Sequence, residues 1–163
     1  MRQSETKRPS ASGAGRAVPA GGVELGPLAS YIGFHLRLAQ DASFRAFARN
    51  TGRKDIKPGH FAALLVIDCN PGIGQGDLGR AIARDKSTVT PLIQNLRQRG
   101  LIDIHRSTKD GRRINLMVTA EGKRFLRRVQ RQAELHDRKL DAIVGDDKAK
   151  FIGLLRKIAN ELS

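Results

Sequence analysis

The chain contains no tryptophan and one tyrosine, Tyr31, and aromatic residues make up 4% of its 163 residues. Proteins that bind single-stranded nucleic acid stack bases on aromatic side chains, so this composition argues against that function. The one cysteine, Cys69, excludes an intramolecular disulfide framework and favours a reducing compartment. No apolar run approaches the length of a membrane span, and the polar N-terminus lacks the apolar region of a signal peptide. We therefore expect a cytoplasmic protein with no membrane contact.

Positive charge is what the chain has in excess. Its 30 Lys and Arg residues outnumber 16 Asp and Glu residues, which gives a formal net charge of +14. The segment from Arg97 to Arg131 alone contains 11 basic and 3 acidic residues. Such a charge favours a polyanionic partner, which could be nucleic acid, anionic lipid or a phosphorylated ligand. With 39% apolar residues, the length suits one domain with a modest core.

The N-terminal segment differs from the rest of the chain. Residues 1–24 are rich in Ser, Gly, Ala, Pro and basic residues, and they show no apolar periodicity. This composition predicts a disordered basic tail. A solvated tail is the preferred interpretation, and the alternative is that Arg2, Lys7, Arg8 and Arg16 contact the phosphates of a nucleic acid. Residues 25–163 are expected to form the folded domain.

Three helices are predicted in the first half of this domain. The first covers Leu28 to about Arg49, where apolar residues recur at helical spacing. The second begins at Pro58, which suits a first helical position, and is stopped by the Asn-Pro-Gly sequence at 70–72. The third runs from about Gln75 to Ala83, and its glycines mean that tertiary packing must stabilise it.

The fourth predicted helix has the clearest pattern. Asp85 is a suitable N-cap, and Gly100 is a suitable C-terminal glycine. Between them, four apolar residues follow the spacing i, i+3, i+4 and i+7 of a core-facing stripe: Val89, Leu92, Ile93 and Leu96.

Two alternating strands follow, around Ile102–Ile104 and Ile114–Val118, and the Lys109–Gly111 turn joins them into a hairpin. The hairpin tip is basic except for Asp110. We expect Asp110 to pair with Arg112 and to pre-set the turn.

The last two predicted helices begin after Thr119 and after Gly145-Asp146. Their apolar faces exceed what the rest of one small domain can cover, which favours a homodimer. These faces consist of Leu126, Val129, Ala133, His136, Leu140 and Ile143 in the former helix and of Phe151, Leu154, Leu155, Ile158 and Leu162 in the latter.

The side of the fourth helix opposite its apolar stripe carries short polar side chains, and no acidic residue occurs from Lys86 to Leu101. An ordinary exposed helix face has more Glu and Lys, whereas these side chains suit base edges and phosphates. A basic hairpin beside this helix suits a minor groove or the DNA backbone. The candidate DNA-binding residues are Gln75, Lys86, Ser87, Thr88, Thr90, Pro91, Gln94, Asn95, Arg106, Lys109, Arg112 and Arg113.

These residues carry a resemblance to a known family. In order and spacing, five segments resemble the MarR family of winged-helix transcriptional regulators: Asp77–Ile82, Asp85–Ile93, Arg99–Ile102, Asp110–Arg112 and Val118–Gly122. The combined spacing is specific, although each segment alone would be weak. The resemblance extends over 28–162 by element order and is closest over 72–122.

The resemblance implies a mainly α (α+β) fold, a winged helix-turn-helix with a flanking helical dimerisation region. The DNA-binding lobe would cover 58–122, and helices in 25–50 and 120–163 would form the homodimer, which would bind a palindromic operator in double-stranded DNA. It also implies a pocket for a small effector, such as an aromatic carboxylate, a phenol or an aromatic acyl-CoA thioester. Candidate pocket residues are Tyr31, Phe34, His35, Arg37, Asp41, Arg45 and His60.

Two residues depart from the common pattern of the family. Pro91 stands where many members have a basic residue, and inside a helix it should remove one backbone hydrogen bond. Ala83 stands where a glycine of the helix-turn is common. The favoured function is a ligand-released dimeric repressor.

Two other functions remain open. Cys69 could act as a redox-sensing thiol, although a helix C-terminus disfavours a thiolate and a structural role is preferred. A protein-interaction module would need an apolar outward face on the fourth helix, and that face is polar. The four histidines have no metal-ligand spacing, and no phosphate-binding loop or nucleophile motif occurs, so we expect neither enzyme activity, nor a metal, nor a cofactor.

Overall fold

A computed structural model of the chain describes residues 23–51, 56–106 and 114–162. Nearly all of the predicted tail lies outside the described residues, as do the Lys109–Gly111 turn and the expected pairing of Asp110 with Arg112. The chain divides into two compact units, Met1–Leu38 and Ala39–Ser163.

The first unit begins its described part with a short 3-10 helix, Gly26–Ser30. The backbone of Tyr31 is extended, with φ −82° and ψ 118°, and it separates this turn from the first α-helix, α1, at Ile32–Thr51. The prediction of a helix from Leu28 was therefore wrong at its start. Proline at the beginning of the short helix favours this separate turn, in which the Ser30 hydroxyl donates to the carbonyl of Pro27 at 3.0 Å.

The second unit contains most of the secondary structure and confirms the mainly α (α+β) winged-helix fold. Its elements after α1 are α2 (Pro58–Cys69), β1 (Ile73–Gly74), α3 (Gln75–Ala81), α4 (Lys86–Gln98), β2 (Ile102–Arg106), β3 (Ile114–Val118), α5 (Ala120–Val144), a 3-10 turn (Gly145–Asp147) and α6 (Lys148–Glu161).

The three strands form an antiparallel sheet in the order β1-β3-β2. Ile104 of β2 and Ile73 of β1 both pair with Leu116, which is fully buried at the centre of β3. The hairpin of β2 and β3 was predicted, but β1 was not, because two residues are too few to show strand alternation.

The core of the second unit lies between α2, α3, α4, the sheet and the first half of α5. All four residues of the predicted α4 stripe are buried, which confirms the periodicity. Around them, Leu64, Ile67, Leu78, Ile102 and Leu116 have almost no exposed surface. The packing therefore holds α4 by one face and leaves its opposite face outside the core.

The start of α5 is joined closely to the end of α4. The Thr119 hydroxyl accepts from the amide of Gly122 at 2.9 Å, as its predicted capping role requires, and it donates to the carbonyl of Gly100 at 2.7 Å. A Cβ on Gly122 would overlap the carbonyl oxygen of Leu101 and lie 2.7 Å from Cγ1 of Val118. Because any larger residue at position 122 would collide with the backbone, glycine permits this close approach.

The C-terminal part of the second unit exposes much apolar surface. None of the residues of α6 is buried, and Phe151, Leu154 and Leu162 are exposed, as is Ile143 near the end of α5. Lys148, at the start of α6, bonds to Asp141 of α5 at 2.6 Å, and this hydrogen bond raises the pKa of the Lys148 ammonium. In the part of the chain that the structure describes, no helix combines the length and hydropathy of a membrane span.

Candidate nucleic-acid interface and ligand cavity

The N-terminus of α4 is fixed by Asp85. Its Oδ1 accepts from the backbone amide of Thr88 at 2.8 Å and from the hydroxyl of Ser87 at 2.6 Å. These two bonds, the Ser87 bond most strongly, hold the pKa of the Asp85 carboxyl below its ordinary value. The carboxylate is therefore charged at neutral pH and lies within the cap, as the sequence predicted.

The face of α4 that points away from the core is exposed along its length, and we call this surface the polar face of α4. Most of the predicted DNA-binding side chains on this helix lie there, namely Lys86, Ser87, Thr88, Pro91, Gln94 and Asn95. Pro91 lies inside the helix, as predicted, and α4 continues past it to Gln98.

Gln75 and Thr90 are bound to one another rather than free. The Gln75 amide donates to the Thr90 hydroxyl at 2.6 Å, and that hydroxyl donates to the backbone carbonyl of Lys86 at 2.8 Å. Thr90 is only partly exposed. The pair therefore links the first residue of α3 to the first half of α4 and fixes the angle between the two helices.

The turn between α3 and α4 is tighter than the sequence suggested. The predicted helix end at Ala83 was wrong, because α3 ends at Ala81 and Ala83 has a positive φ of 51°. Ala83 is the one non-glycine residue with positive φ in the described ranges, which explains why glycine is common at this position. The turn closes where the Arg84 amide donates to the Gly79 carbonyl at 2.9 Å.

The basic residues of the hairpin lie at or beyond the ends of its two strands. Arg106 is the last residue of β2 and pairs in register with Ile114, but the placement of its side chain is not described. Lys109, Arg112 and Arg113 lie outside the described residues. The structure therefore pairs the ends of β2 and β3 up to Arg106 and Ile114, and the placement of the predicted hairpin residues stays a prediction.

A groove of about 930 Å³ lies between α3, the start of α4 and β3. Three basic side chains line it, those of Arg80, Arg84 and Lys86, and the first of these forms an ion pair with Asp77. Lys86 was predicted from the sequence as a DNA-binding residue, but Arg80 and Arg84 were not. Their spacing of four residues across the helix-turn was the signal that could have identified them.

A second cavity, of about 510 Å³, lies between α1, α2 and α5 within the second unit. Phe47, Phe61 and Leu65 form an apolar wall, and His136 lies opposite on α5. The His136 ring is 93% buried, since its exposed fraction is 7%, and it meets the Phe47 ring edge-on with 5.9 Å between centroids. We call this space the aromatic cavity.

His136 brings polar chemistry into the aromatic cavity. Its Nε2 is 3.0 Å from the hydroxyl of Ser43, whereas its buried Nδ1 has no hydrogen-bond partner among the described residues. A buried, unpartnered ring nitrogen is unfavourable unless a ligand or water satisfies it. The cavity thus combines an aromatic wall with the unpartnered His136 nitrogen and with the polar residues Gln130, Glu134, Asp137 and Arg138, and apolar walls with a few polar groups are the usual composition of a small-molecule site.

None of the seven predicted ligand-binding residues lines the aromatic cavity. Tyr31, Phe34, His35 and Arg37 belong to the first unit, where His35 Nε2 lies 2.9 Å from the Ala29 carbonyl and Arg37 lies over the Phe34 ring. Asp41 and Arg45 follow in the later part of α1, and His60 lies in the first turn of α2. Partial burial, followed by the nearby charges of Lys57 and Arg99, lowers the pKa of His60, so this ring is neutral at pH 7.

The cysteine occupies an exposed position. Cys69 is the last residue of α2 and is accessible to solvent, so it does not contribute to the core as a structural thiol would. Within the described ranges, no group of three or more His, Cys, Asp or Glu residues is arranged to hold a metal ion.

Comparison with known proteins connects this geometry to regulators. A model of the MarR family matches residues 54–113. A protein assigned to transcriptional regulation of the hcr operon in Thauera aromatica is 36% identical over 135 residues, which cover 82% of this chain and 81% of that relative.

Solved structures of regulators share the fold. The PcaV transcriptional regulator from Streptomyces coelicolor, in complex with its natural ligand, has a TM-score of 0.78 at 28% identity, over 83% of this chain and 96% of that one. The transcriptional repressor CouR, bound to a 23-mer DNA duplex, has a TM-score of 0.78 at 28% identity, over 85% and 99%. CouR bound to p-coumaroyl-CoA has a TM-score of 0.77 at 27% identity, over the same shares of the two chains.

Proposed function

The chain belongs to the MarR family of transcriptional regulators, and we propose from this premise that it is a homodimeric repressor released by a small aromatic effector. The observation that carries the proposal is the polar face of α4, which is exposed, free of acidic residues and fixed at its N-terminus by Asp85. Residues 58–122 would form the DNA-binding lobe, and helices in 25–50 and 120–163 would form the dimer.

In this proposal α4 reads the major groove. Gln94 and Asn95 would hydrogen-bond base edges, and Pro91 would contact a thymine methyl. Lys86 and Ser87, at the positive end of the helix, would contact a phosphate. Gln75 and Thr90 would orient α4 through their mutual bond, and Arg106, Lys109, Arg112 and Arg113 of the hairpin would contact a flanking groove or backbone. The structure of CouR bound to a 23-mer DNA duplex supports double-stranded DNA as the partner.

The DNA proposal is tested by selection from a random duplex library followed by fluorescence anisotropy. We expect an enriched palindrome whose affinity falls about 10³-fold or more between 50 and 200 mM salt if about six phosphates are contacted. Gln94→Ala should relax the preference at one base pair, whereas Arg112→Ala should weaken all sequences alike. Lys150→Gln on α6 is the control. Selection that enriches no sequence over random DNA would contradict the proposal.

The dimer proposal rests on the exposed apolar side chains of α6. Phe151, Leu154, Leu155 and Leu162 are exposed in the single chain, and Ile143 of α5 is 80% exposed. Several large apolar side chains exposed on and just after one helix are typical of an interaction site. Sedimentation should give a dimer for the native chain and a monomer for Leu154→Glu. A native chain that sediments as a monomer at micromolar concentration would exclude this arrangement.

We assign the effector to the aromatic cavity. Phe47 and Phe61, whose ring centroids lie 5.8 Å apart, would together form one wall against an aromatic ring, and Nδ1 of His136 would bond a polar group of the ligand. The p-coumaroyl-CoA complex of CouR supports an aromatic acid or its CoA thioester as the class. Calorimetry with such compounds should show binding to the native chain. The His136→Leu variant should bind them more weakly, and the His35→Leu variant should bind them as the native chain does. If His35→Leu weakens binding and His136→Leu does not, the effector site lies at the predicted residues of α1 instead.

A thiol switch is the second candidate, and the exposure of Cys69 is the observation that favours it. If Cys69 controls DNA binding, peroxide should release DNA from the native chain and leave Cys69→Ser bound. Equal responses of the two proteins would remove this candidate.

A further inference from the structure

The hydrogen bond between Gln75 and Thr90 fixes which way the Gln75 amide points. The hydroxyl of Thr90 has a single hydrogen, and it donates that hydrogen to the backbone carbonyl of Lys86 at 2.8 Å. The group of Gln75 that lies 2.6 Å from the same hydroxyl oxygen must therefore be a donor, which is Nε2. The amide nitrogen thus faces Thr90, and the amide oxygen, Oε1, lies on the other arm of the amide.

Oε1 of Gln75 is an acceptor that has no donor among the described residues. The side chain is partly exposed and lines the groove of about 930 Å³ between α3, the start of α4 and β3. Phosphate oxygens of a nucleic acid are acceptors and cannot bond to another acceptor. The oxygen is therefore available to a ligand that carries an N–H or O–H group, and not to a phosphate.

Gln75 lies at the edge of the polar face of α4. At about 100° per residue, Thr90 is about 60° from Ser87 and about 40° from Gln94 around the axis of α4. Because Ser87 and Gln94 belong to the polar face, the bond to Thr90 places the Gln75 amide beside them. Gln75 thereby adds an amide from α3 to the surface that would enter the major groove.

The turn between α3 and α4 holds this amide in a fixed position. The Arg84 amide donates to the Gly79 carbonyl at 2.9 Å, and a Cβ on Gly79 would lie 2.9 Å from the carbonyl oxygen of Arg84. Leu78, one residue earlier in α3, is fully buried. A rigid support of this kind favours recognition of one particular hydrogen-bonding group rather than a loose surface contact.

We propose that Gln75 is a specificity-determining residue whose Oε1 accepts a hydrogen bond from the exocyclic amino group of an operator base, N6 of adenine or N4 of cytosine. The inference rests on the proposed function, because it requires that α4 lies in a major groove. Guanine and thymine present the carbonyl oxygens O6 and O4 at this edge, and these would meet Oε1 acceptor against acceptor. Thr90 is then a positioning residue, since its hydroxyl keeps the amide from turning its N–H groups toward those oxygens.

Adenine is the better match of the two bases. Glutamine bonds N6 and N7 of adenine as a pair, and one N–H of the Gln75 amide remains unused after the bond to Thr90. The test begins with selection from a random duplex library for the full native chain and for Gln75→Met, which identifies the base pair whose preference changes. Replacing its adenine in one half-site by purine, which lacks only the amino group, or by guanine should weaken native binding about tenfold, as measured by fluorescence anisotropy. Where selection gives cytosine, the analogue without its amino group takes the place of purine.

Three variants separate reading from support. Gln75→Met keeps the length of the side chain without its polar atoms, so the difference between adenine and purine should fall to within about twofold. Thr90→Val frees the amide to turn and to donate to O6 of guanine, so the difference between adenine and guanine should narrow in the same way. Gln75→Glu retains an acceptor and should retain the preference for an amino group, with weaker binding to every duplex because its charge repels phosphates. Gln132→Met on α5 is the matched control and should bind as the native chain does.

Each outcome decides for or against this inference. If Gln75→Met weakens binding to all duplexes by the same factor, or to none, Gln75 only supports α4 or contacts a phosphate, and the inference fails while the proposed function stands. If the preference that Gln75→Met removes is for guanine or thymine, the amide is oriented the other way and the inference is overturned. If the native chain enriches no sequence, the proposed function fails together with it.

Discussion

Replacement of Gly122 by alanine should strongly destabilise the chain, although alanine favours helices. The new Cβ would overlap the Leu101 carbonyl oxygen and lie 2.7 Å from Val118 Cγ1. Because the first obstacle is backbone, it cannot rotate away as a flexible side chain can. Overpacking of this kind costs about 3 kcal/mol, whereas the gain in helix propensity is about 1 kcal/mol. The clash therefore exceeds the gain, and we expect a net loss of about 2 kcal/mol or more.

Thermal unfolding followed by circular dichroism at fixed protein concentration measures this loss. At roughly 2–4 °C per kcal/mol for a chain of this size, the melting temperature should fall by roughly 4–8 °C. Gly59→Ala in α2 is the matched control, since no atom lies within 4 Å of its added Cβ. This control should be neutral or stabilised by up to about 1 kcal/mol. If Gly122→Ala melts at or above the native temperature, the close approach of α5 to Leu101 is not as described.

Three further predictions concern the helix-turn and the cap. Ala83→Gly should raise the unfolding free energy by about 0.5–1 kcal/mol in urea titrations, because φ of 51° strains alanine and not glycine; a decrease would refute the strain. A double-mutant cycle of Gln75→Ala and Thr90→Val should give a coupling of about 0.5–1 kcal/mol, and additive effects would exclude their bond. Asp85→Ala should lower the melting temperature at pH 7. The folded pKa of the Asp85 carboxyl lies below its ordinary value, so the stability that its charged form contributes is present above the ordinary pKa and is lost as pH falls through the lowered one. The difference in melting temperature between Asp85→Ala and the native chain should therefore shrink over this range. A difference in melting temperature that does not change with pH would contradict the prediction.

Helix α4 was predictable because its signals agree with one another. Asp85 caps it, Gly100 with φ 68° ends it, and the stripe from Val89 to Leu96 has no alternative period. Each signal depends only on near neighbours in the sequence. The same holds for Thr119 at the start of α5.

The features that the sequence concealed depend on distant residues. Strand β1 exists because Gly74 and Ile73 meet β3 more than forty residues later, and two residues have no period of their own. The aromatic cavity combines Phe47, Phe61 and His136 from three helices, and each of these residues alone looks like an ordinary core residue. The seven predicted ligand-binding residues line no part of this cavity and stay a prediction, because spacing along α1 does not indicate which side chains enclose a space.

The attachment of α5 to Leu101 gives this helix the mechanics of a lever. Its first turn is held at the end of α4 by the Thr119 bonds and the close approach at Gly122, and His136 lies 14 residues further on, about 21 Å along the axis. A displacement of about 1 Å at His136 corresponds to a tilt of roughly 3° of a rigid helix of this rise per residue. Because α5 lies against backbone at this point, such a tilt would displace Leu101 at the end of α4 more readily than a contact between flexible side chains would.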